Sequence, residues 1–198
     1  MAPTFNDVAF PVQTERLTIR RAEAADVEAV RAYRQHPDVN MWMPSDGTDP
    51  DEFRRRFCDP AKLAGKLVVE QNGVIIGDVM VGIGDAWAQD EVSDRARDTQ
   101  AELGWCLAPS AQGQGFASEA MREVLRLCFE DLELRRVSAG CFADNEPSWR
   151  LMERLGMRRE SHTVRESLHR TLGWLDGMEY ALLSDEWRQR ESQERESQ

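Results

Sequence analysis

The feature that most constrains the fold is a glycine-containing turn between a strand pattern and the clearest helix pattern in the chain. Residues Thr99 to Leu107 alternate apolar and polar side chains, which is the period of a half-buried strand. From Ser118 to Leu132 the apolar residues instead recur at helical spacing. Between these segments lies Gln112-Gly113-Gln114-Gly115-Phe116-Ala117. The order predicts a strand that enters a crossover helix through a tight turn.

This turn has the composition of an anion-binding site. Glycines allow the backbone to point several N–H groups at one position, and the helix that follows adds unsatisfied amides and a positive dipole end. No Gly-Lys-Ser/Thr follows, so the turn is not a P-loop, and its glycine spacing differs from a dinucleotide fingerprint. The pattern therefore favours a pyrophosphate ligand, with a flexible turn as the alternative.

The remaining patterns predict an α+β fold with a mixed, mostly antiparallel sheet. Asn72-Gly73 between two apolar-rich runs predicts a β-hairpin, because a type I′ turn needs positive φ at both central residues. We predict one domain over residues 14–188, between an N-terminal tail (1–13) and a disordered C-terminal tail (189–198). Strands are predicted at 17–20, 66–71, 74–83, 99–107 and 136–142, followed by two closing strands, and helices from 24, from 50, at 118–132 and at 147–155.

The composition excludes several classes of partner. A formal net charge of -11 argues against nucleic acid and favours cationic small molecules or basic polypeptides, although such a charge also serves solubility alone. No run approaches the roughly eighteen consecutive apolar residues of a membrane span, so no membrane partner is predicted. The 4 cysteines and 3 histidines lack zinc-site or disulfide spacing. We therefore expect no metal, and a reducing cytoplasmic location.

Several motifs in order along the chain resemble the GNAT acetyltransferase superfamily. The phosphate turn of that superfamily reads Gln/Arg-x-x-Gly-x-Gly/Ala, which Gln112, Gly115 and Ala117 match. More narrowly, the chain resembles the ribosomal-protein-alanine N-acetyltransferase branch over roughly residues 14 to 187. The segments that carry this resemblance are Thr14 to Arg20, Ala101 to Leu107, Asp144 to Ser148, Leu151 to Met157 and Trp174 to Leu183.

The resemblance implies a single GNAT-like domain in which two adjacent parallel strands splay apart around acetyl-CoA, flanked by helices. Acetyl-CoA is then the acyl donor and co-substrate. By this analogy the backbone of Leu107 hydrogen-bonds the pantetheine, and Asn145 meets the pantetheine arm. Ser118 caps the helix or touches phosphate. The pyrophosphate is bound by Gln112, Gly113, Gln114, Gly115, Phe116 and Ala117.

The implied reaction is a direct attack of a neutral primary amine on the thioester, which requires a proton acceptor and a donor for the departing thiolate. We predict Ser148 as the donor; the alternative is a serine that satisfies an amide in the first turn of its helix. Glu102 is the first predicted base and Glu160 the second. A solvated or ion-paired carboxylate, with bulk water as the proton acceptor, is the alternative.

The predicted function is acetyl-CoA-dependent N-acetyl transfer to a protein N-terminus or a small cationic amine, including an aminoglycoside-type acceptor. The alternatives are a non-catalytic acyl-CoA-binding or sensing module on the same scaffold and, less favoured, a nucleotide-phosphate binder. The sequence leaves open the acceptor, the length of the acyl group, the identity of the base and the oligomeric state, although homodimers are common in the family.

Overall fold

The structure of the protein, a computed structural model, describes residues 3–196 and confirms the α+β class. Within that range hydrogen bonds link the strands in the order β1-β2-β3-β4-β5-β6-β8-β7, with β5 parallel to β6. The predicted strands are all present, and β1 was not predicted. The strands are β1 (Val12–Gln13), β2 (Thr18–Arg21), β3 (Lys66–Gln71), β4 (Val74–Gly84), β5 (Gln100–Leu107), β6 (Arg136–Phe142), β7 (Arg158–His169) and β8 (Gly173–Leu183).

Three of the helices begin with the same local signal, a side-chain cap followed by proline. His36, Asp49 and Asp59 each accept a hydrogen bond from an amide of the turn that follows, and proline suits the next position because it lacks an N–H. None of the described helices is long and apolar enough to cross a membrane. The helices are α1 (Val27–Arg34), α2 (Pro37–Asn40), α3 (Pro50–Phe57), α4 (Pro60–Leu63), α5 (Phe116–Arg126), α6 (Glu146–Arg154) and α7 (Ser184–Glu196).

The chain divides into two compact units, and the first unit comprises Phe5–Gly82 and Gly104–Glu123. Its strands β1 to β4 form an antiparallel meander. Residues of α1 and α3 pack with the end of β5 in one buried cluster, which includes Cys106 at 6% exposure. Cys106 and Leu107 are neighbours in β5 and so lie on opposite faces of the strand, yet both are buried. The alternation fails there because α1 and α3 cover the face that carries Cys106.

A buried ion pair lies in this first unit. Asp78 on β4 is 1% exposed, and its carboxylate accepts hydrogen bonds from Arg34 Nε at 2.9 Å and from the hydroxyl of Tyr33 at 2.7 Å. Burial and the Asp78 carboxylate raise the pKa of Tyr33 well above its usual value, so Tyr33 stays neutral and donates. The three groups satisfy one another, which is what makes a buried carboxylate tolerable.

Over the described residues, the second unit comprises Pro3 and Thr4, Ile83–Leu103 and the chain from Val124 onward. Here the start of β5 pairs in parallel with β6, over Gln100–Glu102 and Arg136–Ser138. β6 and β7 both pair antiparallel with β8. The predicted mixed sheet with one parallel pair is thereby confirmed.

The two segments predicted as tails have structure over their described residues. The rings of Phe5 and Phe10 stack 6.2 Å apart, and Val8 is buried. Residues 189–196, predicted as disordered, continue α7, which is anchored by the buried Trp187 through a 3.2 Å bond to Glu130. The prediction of disorder was based on the low apolar content of residues 189–196. It was wrong because the residue that anchors their helix, Trp187, precedes them. Positions 1, 2, 197 and 198 lie outside the described residues, and the domain boundaries stay predictions.

Replacing Asp78 with alanine is expected to lower the free energy of unfolding by about 3 kcal/mol, because Arg34 is then left without its buried partner. Tyr33→Phe removes one hydrogen bond and keeps the ion pair, so it should cost about 1 kcal/mol. Urea denaturation of both variants measures the difference. Equal losses for the two variants would contradict the assignment of the ion pair as the dominant interaction.

Candidate functional site

The glycine turn lies where the sequence predicts it, directly before α5. Gln112 to Gly115 are all exposed, and Gly113 and Gly115 have φ values of 74° and 80°. Such positive φ angles favour glycine because a Cβ atom is strained there. The side chain of Gln112 donates to the carbonyl of Leu107 at 3.2 Å, and that of Gln114 donates to the carbonyl of Ser110 at 2.6 Å. The turn is therefore held by its own side chains while its backbone faces solvent.

The helix that follows the turn begins with unsatisfied amides. The amide of Glu119 donates to the carbonyl of Gly115 at 3.1 Å, so the N–H groups of Phe116, Ala117 and Ser118 precede the helical ladder. Ser118 lies inside the first turn of α5 and is not its N-cap, which corrects that part of the prediction. The turn and these amides together form an arrangement that suits a phosphate.

A charged pair next to the turn was missed by the sequence analysis. Arg16 Nε lies 2.6 Å from Glu119 Oε2, and Arg16 Nη1 donates to the carbonyl of Gln114 at 3.0 Å. The Arg16 guanidinium also lies over the ring of Phe116, with Cζ 4.6 Å from the ring centroid. The signal was the Thr14 to Arg20 segment, which the sequence analysis had used only for the family resemblance and for a strand at 17–20.

The residues predicted to bind the pyrophosphate and the pantetheine at Leu107 all lie in the first unit. Leu107 at the end of β5 is linked to the turn through its carbonyl, and the next residue, Ala108, donates from its amide to the carbonyl of Ile76 on β4 at 2.8 Å. The turn residues and the N-terminus of α5 belong to the same unit. Glu102, Asn145 and Ser148 belong to the second unit.

Ser148 lies in the first turn of α6, half-buried. Its amide donates to the carbonyl of Asn145 at 3.0 Å, and the side chain of Asn145 does not cap the helix. Burial raises the pKa of Cys141 to about 11, and the nearby hydroxyl of Ser148 opposes that rise. Cys141 is therefore a neutral thiol, and Ser148 is a hydroxyl held beside sulfur.

The two predicted bases differ in their surroundings. Glu160 accepts from Arg136 at 2.7 Å and from Arg158 at 2.6 Å, and the hydrogen bonds from Arg136 lead the causes that lower its pKa. A carboxylate that is paired with two arginines is a poor proton acceptor, so the structure argues against Glu160 as the catalytic base. Glu102 is exposed on β5, and its charge acts on Glu179 of β8.

Glu179 is a carboxyl group that the sequence analysis did not single out. It lies opposite Gly140 in the β6–β8 pairing, and its Oε1 occupies the space that a Cβ on Gly140 would need. Burial and, next, the charge of Glu102 raise the pKa of Glu179. No pattern in the sequence identifies such a group, because its partners come from three different strands.

Comparison with known proteins gives consistent results. The family profile described as "Acetyltransferase (GNAT) domain" matches residues 16–158. An uncharacterized N-acetyltransferase of Bacillus subtilis (strain 168) is 31% identical over 176 residues, covering 89% of this chain and 98% of the relative.

Solved structures agree in fold. The crystal structure of a GNAT-family acetyltransferase from Bacillus anthracis has a TM-score of 0.72 at 30% identity, covering 88% of this chain and 98% of that one. A spermidine N-acetyltransferase from Vibrio cholerae, solved with CoA and spermine, has a TM-score of 0.72 at 20% identity, covering 88% and 99%. At 20% identity, the similarity to the Vibrio cholerae enzyme concerns the fold alone.

Glu102→Gln is expected to lower the pKa of Glu179 toward its ordinary value, because a neighbouring negative charge is removed. Glu166→Gln is the matched control and should shift this pKa less, since Glu166 is the weakest of the groups that act on Glu179. Carboxyl-carbon NMR titration of Glu179 measures both shifts. An unchanged pKa in Glu102→Gln would show that the two carboxyl groups are not coupled.

Proposed function

Because the chain belongs to the GNAT acetyltransferase family, we propose that it transfers an acetyl group from acetyl-CoA to a primary amine. Membership of the family gives the reaction class, which is that of an N-acetyltransferase. The proposal adds the donor, the residues that bind it and the class of acceptor.

The observation that carries the proposal is the turn before α5. It combines an exposed backbone, two glycines at positive φ and a helix N-terminus, all within the six residues Gln112 to Ala117. A pyrophosphate carries its charge on several oxygens, and converging amides can each donate to one of them. We assign the pyrophosphate of acetyl-CoA to this turn, the pantetheine to the backbone of Leu107, and the pantetheine arm to Asn145.

The proposed chemistry needs two proton transfers. We assign Ser148 as the donor to the departing CoA thiolate, since its hydroxyl is only partly buried and lies near enough to the Cys141 sulfur to lower the pKa of that thiol. We assign Glu102 as the acceptor of the amine proton, acting through water, because its carboxylate is exposed and free of the double arginine pairing that holds Glu160. Binding both substrates together supplies much of the remaining acceleration.

The acceptor is a protein N-terminus or a small cationic amine. The net charge of -11 attracts cations over a distance and so favours either class. One fold neighbour is a spermidine N-acetyltransferase solved with spermine, which makes polyamines one acceptor class to include in a test. Aminoglycosides form a second cationic class, and N-terminal peptides a third.

Release of free thiol from acetyl-CoA, measured across polyamines, amino acids, aminoglycosides and N-terminal peptides, tests the proposal. We expect turnover with at least one amine class. Ser148→Ala should then lower kcat by about a hundredfold or more, the usual range for one proton donor, with little change in the affinity for CoA.

Cys141→Ala is the matched control, because it removes the neighbouring thiol and keeps the Ser148 hydroxyl. It should retain most of the turnover. A fully active Ser148→Ala variant would remove Ser148 from the mechanism. Tight CoA binding by the wild type without turnover on any amine would instead support a non-catalytic sensing module.

A further inference from the structure

The first turn of α5 contains a charge that opposes the binding of an anion. Burial acts to raise the pKa of Glu119, but hydrogen bonds from Thr14 and from the backbone and side chain of Arg16 outweigh it and hold that pKa below its usual range. Glu119 is therefore a carboxylate at neutral pH, with its side chain only 15% exposed. Left alone, this negative charge would repel a phosphate at the same helix terminus.

Arg16 neutralises that carboxylate with good geometry. Its Nε lies 2.6 Å from Glu119 Oε2, and its backbone amide donates to Glu119 Oε1 at 2.8 Å. The hydroxyl of Thr14 donates to the same Oε1 at 2.5 Å, and the amide of Leu17 closes a turn by donating to Thr14 Oγ1 at 3.1 Å. A tight turn over Thr14 to Leu17 thus delivers three donors to one carboxylate.

Arg16 also acts on the glycine turn itself. Its Nη1 donates to the carbonyl of Gln114 at 3.0 Å, and its Nη2 lies 3.4 Å from where a Cβ on Gly115 would be. In a planar trans peptide the C=O and the following N–H point in opposite directions. A Gln114 carbonyl that is fixed toward Arg16 therefore directs the N–H of Gly115 away from it, toward solvent.

We propose that Arg16 is a positioning residue for coenzyme A: it cancels the charge of Glu119 and orients the Gln114–Gly115 peptide, so that the turn accepts a pyrophosphate. This inference rests on the proposed function, because it concerns the same turn. It adds Arg16, which is 103 positions from Glu119 in the sequence, to the residues that prepare the turn. The Arg16–Glu119 pair then determines the affinity for the donor and not the rate of turnover.

The test measures CoA affinity by calorimetry for Arg16→Gln, Glu119→Gln and the double variant. Arg16→Gln should weaken binding by about tenfold or more, since Glu119 is then uncompensated beside the anion. The double variant should bind CoA more tightly than Arg16→Gln, because it lacks the repelling charge. Arg16→Lys keeps a charge without the forked contact and should fall between the wild type and Arg16→Gln.

A donor without phosphate separates electrostatics from general structural damage. S-acetylpantetheine ends before the pyrophosphate, so with this donor the kcat/KM values of Arg16→Gln and the wild type should agree within about twofold. With saturating acetyl-CoA, the kcat values of the two proteins should also agree within about twofold. A structural role alone would lower turnover with both donors.

Three results would overturn the inference: unchanged CoA affinity in Arg16→Gln, a double variant that binds no more tightly than Arg16→Gln, or an equal loss with S-acetylpantetheine. If the wild type itself binds no CoA, the proposed function fails and this inference fails with it. If the wild type binds CoA and Arg16→Gln binds it equally well, only this inference fails.

Discussion

The first backbone amides of α5 lack partners within their helix, and the function proposed for this protein depends on how the surrounding chain treats them. A helix N-terminus combines unsatisfied donors with a positive dipole end, and either feature attracts an anion. Gly113 and Gly115 take the positive φ angles that bend the chain into this terminus, and Gln112 and Gln114 hold the bend with side-chain hydrogen bonds. The turn that we propose as the donor site is therefore bent and held by short-range interactions, to which Arg16 adds a contact from 98 positions away.

Charge compensation is a second constraint, and it recurs within the first unit. Glu119 is neutralised by Arg16, and Asp78 by Arg34, each pair being partly or largely removed from water. A carboxylate in such a place is tolerated only with several donors, and both receive a hydroxyl hydrogen bond in addition, from Thr14 and from Tyr33. We assign the Arg34–Asp78 pair to the stability of the fold, and we propose that the Arg16–Glu119 pair prepares an anion site.

The sequence predicts what short-range patterns determine. The strand β5, the hairpin at Asn72 and the glycine turn are all found, because turn chemistry and side-chain period act over a few residues. The Arg16–Glu119 pair was missed because its partners are 103 positions apart and no local pattern links them. The helices that cover Cys106 likewise come from another part of the chain, so no local pattern identifies them as its neighbours.

The central claim is that the turn binds the pyrophosphate of coenzyme A, and Gly113 offers its most direct test. Gly113 has a φ of 74°, and a Cβ there meets nothing within 4 Å, so asparagine and aspartate place groups of equal size in open space. They differ only in charge, and both are among the residues best suited to this backbone conformation. Calorimetry should show that Gly113→Asp binds CoA about tenfold or more weakly than Gly113→Asn. Equal affinities would contradict the claim.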